Sequence, residues 1–95
     1  MKFLWIPTKA ANHYDNEFVK ELWELWADDG ERRRKIAWVR ESWSPDEGMG
    51  IVGVVVSETG HSNKMTSFCF MTDEDCKAFL TWYMQEHPEI WFSQF

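Results

Sequence analysis

At 95 residues the chain is close to the commonest domain size, so residues 1–95 are expected to form a single domain with one core. A hydrophobic content of 44%, with seven Trp and seven Phe, is too apolar for a disordered chain. Ten Lys and Arg against sixteen Asp and Glu leave a formal charge of −6, which repels phosphate backbones, makes nucleic acid an unlikely partner and leaves a protein as the expected one.

No apolar run approaches the roughly 18 residues of a membrane span, and Pro7 interrupts MKFLWIPT too soon for a signal peptide, so a cytoplasmic protein is expected, with no membrane partner. Without an export signal, Cys69 and Cys76 read as free thiols rather than a disulfide framework.

Residues 2–6 are aromatic and β-branched and predict a strand ended by Pro7, followed by a loop over 8–14. Asp15 is placed to cap a helix in which Phe18, Val19, Leu22, Trp23 and Trp26 recur at three and four, with Gly30 as its stop. Three runs follow, 35–43, 50–58 and 64–71, separated by short Gly, Asp, Pro and Ser connections that suit an antiparallel meander. Thr72-Asp73-Glu74-Asp75 resembles a capping box, and the helix after it places Cys76, Phe79, Leu80 and Tyr83 on one face. Pro88 stops that helix, and the apolar tail 89–95 is expected to dock or to add an edge strand. The order β-α-β-β-β-α(-β) predicts an α+β domain, an antiparallel sheet of about three to five strands with two helices, in a ferredoxin-like variant.

Alternate residues of a strand face opposite ways, and both sets here are apolar. Phe3, Trp5, Ile36, Trp38, Phe68 and Phe70 form one set; Leu4, Ile6, Ala37, Val39, Met65, Cys69 and Met71 form the other. Two helices cover one face of one sheet, so the smaller set is expected beneath them. The aromatic set, above all Phe3, Trp5, Trp38, Phe68 and Phe70, then lies open to a partner or to a second copy in a homodimer, unless tail, hairpin and loop fold over it.

On the first predicted helix Glu17, Glu21, Glu24 and Asp28 fall at intervals of four, three and four, a carboxylate row that imitates a phosphate backbone or simply solvates the helix. The cluster Glu31-Arg32-Arg33-Arg34-Lys35 reads either as a contact for RNA or a partner's carboxylates, or as a solvated strand entry.

Signals for catalysis are thin. His13, His61 and His87 lie in a loop, a turn and a helix end with no ligand spacing between them, so no metal or other cofactor is expected. Cys69 or Cys76 reads as a buried small hydrophobe before it reads as a nucleophile. Gly48, Gly50 and Gly53 lack the following helix that a phosphate loop requires.

The run from Thr66 to Met71 faintly resembles the aromatic strand of RNA-recognition domains, through Phe68 and Phe70, but lacks the basic glycine-containing lead-in. The stretch SFCFMTDEDCKAFLTW, Ser67 to Trp82, is similar to a strand-then-helix segment of small uncharacterised α+β proteins of tailed phages, with Cys76 where Ala is usual. That resemblance implies a viral accessory protein acting in the host cytoplasm, and no activity. The sequence thus predicts a small acidic non-enzymatic protein that docks on another protein, with nucleic-acid mimicry as its sharpest form. The alternatives are a small dimeric ferredoxin-like enzyme with a pocket between aromatic sheet faces, and a single-strand RNA binder.

Overall fold

The computed structural model describes residues 2–8, 14–16, 19–44, 48–56, 62–64 and 70–91. Among them are four long strands, β1 (Lys2–Pro7), β3 (Val19–Asp28), β4 (Arg33–Ser44) and β5 (Gly48–Val56), and two short ones, β2 (Tyr14–Asn16) and β6 (Ser62–Lys64). One helix, α1 (Asp73–Glu86), follows, with a 3-10 turn at Pro88–Ile90. All pairings are antiparallel in the order β1-β3-β4-β5-β6, and β2 pairs with β3 beyond the end of β1.

This corrects the ferredoxin-like expectation at its first helix. The segment predicted to be helical from Asp15 to Gly30 contains the end of β2 and all of β3, and α1 is the single α-helix among the described residues. Glu, Leu and Lys favour helix locally, but β3 lies between β1 and β4 and gains ladder hydrogen bonds on both edges, so pairing outweighs a weak propensity. Gly30, read as a helix stop, instead closes the β3–β4 hairpin with a φ of 97°. Asp28 Oδ1 accepts from the Gly30 N–H at 2.8 Å, and Asp29 Oδ1 accepts from the N–H groups of Glu31 and Arg32 at 2.9 and 2.6 Å. Side chains that bond their own backbone two or three residues on are the mark of a turn.

Two register shifts set which side chains face α1. Between Glu21 and Trp23, β3 carries Leu22 as an extra residue opposite consecutive Arg40 and Val39. Between Leu25 and Trp26, β4 carries Ile36 as the extra residue. Each bulge lets two neighbours share a face, so Ile36 and Ala37 are both fully buried.

The meander of β4 and β5 follows the expected runs; of the third, 64–71, the described residues place Lys64 at the end of β6 and Phe70 in an isolated bridge to Ile51, while 65–69 lie outside them. Thr72 caps α1, its hydroxyl accepting from the Asp75 N–H at 3.1 Å. The helix lays Cys76, Leu80 and Met84 on the core residues Leu25, Ala27, Ile36, Ala37, Val39 and Val55. Of the predicted face, Cys76 and Leu80 are buried, whereas Phe79 and Tyr83 are half-buried on its flank. From the tail, Trp91 docks into the core, donating its indole N–H to the Met84 carbonyl at 2.8 Å and meeting Phe3 edge-on at 5.5 Å.

Candidate docking surface

The predicted aromatic sheet face is divided between the two sides of the sheet. Phe3 and Trp5 lie on the α1 side: Phe3 meets Trp91, and Trp5 donates to Thr81 Oγ1 at 3.0 Å. Phe70 sits against Phe79 of α1, with ring centroids 5.5 Å apart. Trp38, paired with Glu24 and Val54, lies on the opposite side under the Lys35 ammonium at 4.8 Å. Phe68 lies outside the described residues. The registers set Leu4 and Ile6 of β1, expected beneath helices, on the same side as Trp38.

The acidic row is likewise no helix face. Glu17 lies outside the described residues, and Glu21, Glu24 and Asp28 are in β3. The bulge at Leu22 brings all three to the side away from α1, where β4 meets each with a cation. Arg40 donates to Glu21, Lys35 lies 3.4 Å from Glu24 and Arg33 lies 3.0 Å from Asp28. Trp26 adds its indole N–H to Glu24 at 3.2 Å. The basic cluster therefore answers neighbouring acids: besides these pairs, Arg32 stands 4.0 Å from Asp29. The Gly30 N–H and then Arg33 hold the Asp28 carboxyl below its ordinary range, and the N–H groups of Arg32 and Glu31 do the same for Asp29.

On α1 the polar groups are arranged differently. Lys77, the helix's one lysine, turns inward: its ammonium stands 3.6 Å over the Trp23 ring and 5.9 Å from that of Trp5, and its side chain is only 15% exposed. Trp23 in turn donates to Asp73 Oδ2 at 2.9 Å, so cation, indole and carboxylate bind the helix to the sheet. On the far side, Asp75, Ala78, Trp82 and Glu86, spaced three, four and four, form one exposed line along the crest of the helix. Trp82 is 54% exposed and Met71, just before the N-cap, 94%. Phe79 supports Trp82 at 5.9 Å and stacks with Tyr83 at 5.7 Å, which meets His87 at 4.7 Å. The sequence held the signal for Trp82: it is two residues from Leu80, roughly 200° around a helix of 3.6 residues per turn and so opposite the buried line.

Burial, with a smaller contribution from Asp73, pushes the Cys76 thiol from an ordinary 9.0 up to about 12, which keeps it protonated and poorly nucleophilic. His87 lies 3.1 Å from Glu89 at the surface; His13 and His61 fall outside the described residues. No three His, Cys, Asp or Glu among the described residues are placed to hold a metal ion, and none of the described helices is long and apolar enough to cross a membrane. No family model, no curated protein and no solved structure matches the chain.

Proposed function

We propose that this is a small acidic, non-enzymatic binding protein that docks on another protein through the crest of α1. The observation behind this reading is Trp82, a tryptophan more than half exposed on the helix side farthest from the core. Trp is the residue type most enriched among interface positions that dominate binding energy, and contact with Phe79 restricts the ring before a partner arrives. Burial raises the Cys76 thiol and makes it a poor nucleophile. The similarity of the stretch Ser67 to Trp82 to a segment of small tailed-phage proteins is in keeping with an accessory role in a host cytoplasm. Nucleic-acid mimicry by β3 loses its basis, because Glu21, Glu24 and Asp28 each face a cation.

The test is photo-crosslinking in the native host, with a benzophenone amino acid at position 82 and a control at Glu31, exposed on the β3–β4 turn. A discrete protein adduct from position 82 that the control lacks is expected. Equal labelling from both positions, or none, refutes the crest as the contact.

A further inference from the structure

Resting on that reading of the crest, we infer that the partner presents an apolar groove rimmed by lysine and arginine, which receives α1 side-on. Charge selects this occupant. Asp75 and Glu86 lie on the same line as Trp82, roughly two turns before it and one turn after it, and both are exposed. The first turn holds three acids, of which Glu74 is met by Lys77 at 3.3 Å, while the last turn holds no base. The one lysine of α1 stands over the Trp23 ring and 3.3 Å from Glu74, so it answers one acid of the first turn. The sheet side is built otherwise, each carboxylate of Glu21, Glu24 and Asp28 being answered by a β4 cation.

Glu86 adds an independent sign. A carboxylate in the last turn lies at the negative end of the helix dipole, so its position works against the helix rather than for it. A residue placed against local stability at an exposed position is better explained by what it meets than by what it holds. A second copy of the chain docked crest to crest sets carboxylate against carboxylate, and an anionic membrane or a nucleic acid is repelled in the same way. Ala78 and Trp82, one turn apart, are the two apolar residues of that line.

The full chain, immobilised, is panned against a displayed library of random peptides, and the best binder is synthesised and titrated at two salt concentrations. Peptides rich in Lys or Arg together with Leu, Phe or Trp are expected. Trp82→Ala, which leaves charge unchanged, is expected to weaken binding about tenfold. Asp75→Asn with Glu86→Gln is expected to weaken it about threefold or more and to flatten its salt dependence. Ala78→Gln, which crowds the crest without removing the ring, serves as a second probe, and urea midpoints confirm that each variant is folded. Binding that needs Trp82 but ignores the two carboxylates overturns the basic groove and leaves the crest reading standing. Binding blind to both Trp82 and Ala78 overturns both. A wild type that sediments as a dimer which Trp82→Ala dissolves makes a second copy the occupant and overturns the inference.

Discussion

Gly53 lies directly against α1, and adding one methyl there tests the packing. An ideal Cβ on Gly53 falls 3.1 Å from Leu80 Cδ2, 3.3 Å from Leu80 Cδ1 and 3.3 Å from Cys76 Sγ. All three are short of ordinary contact. Leu80 and Cys76 are both fully buried, so neither has open space into which to withdraw from the new methyl. Overpacking of this kind costs about 1–3 kcal/mol, against about 0.4–1 kcal/mol gained when Gly→Ala restricts the unfolded chain. Gly53→Ala is therefore expected to lower stability by about 0.5–2 kcal/mol in urea unfolding. Leu80→Ala alone is expected to cost about 2–5 kcal/mol, because a fully buried leucine is truncated. In the double variant the new Cβ enters the vacated volume, so the combined loss should fall short of the sum by about 0.5 kcal/mol or more. A stabilising Gly53→Ala, or strict additivity in the cycle, refutes the argument that α1 rests on this glycine.

The cross-strand ion pairs should differ in worth with their exposure. Arg33, with a side chain 59% exposed, is expected to cost no more than about 0.5 kcal/mol on change to Ala, whereas Arg40, 30% exposed against a Glu21 side chain only 14% exposed, should cost about 1–3 kcal/mol; equal urea midpoints for the two variants would count against the pairing. For Cys76, the thiol in a Cys69→Ser background should react with a disulfide reagent only after unfolding. Its raised pKa means that the unfolded chain releases this proton first, so the thiol's contribution to stability is whole below pH 9.0 and is lost as pH rises toward about 12; native reactivity at pH 8 matching the unfolded rate would refute its burial.

Much of the fold was legible where local chemistry and tertiary pairing agree. The β4–β5 meander is rich in β-branched residues, Gly48 has the positive φ of 76° that a turn glycine permits, and Thr72 caps α1 through the hydroxyl the capping pattern requires. β3 was misread because its bulge disguises its period. A strand repeats every two residues, but the extra Leu22 stretches the outward spacing from Glu21 to Glu24 to three. The same residue packs Leu22 and Trp23 side by side toward the core, which imitates the apolar pair of an amphipathic helix. A bulge is set by the partner strand, so a reading of one segment by itself has no means of locating it.

The division of Phe3, Trp5 and Trp38 between two faces follows from the same cause, since the bulge at Ile36 shifts the phase of β4 and a one-residue slip turns every later side chain over. The charge pattern was harder still to read, because the sequence shows the acids of β3 and the bases of β4 as separate runs, and only the hairpin superimposes them. Once it does, the two runs largely cancel, and the chain's charge of −6 has to reside elsewhere. Part of it resides on α1, where Asp73, Glu74, Asp75 and Glu86 outnumber a single lysine, which stands over Trp23 and 3.3 Å from Glu74. The helix is negative through its own residues, and it is the element that carries Trp82 into solvent.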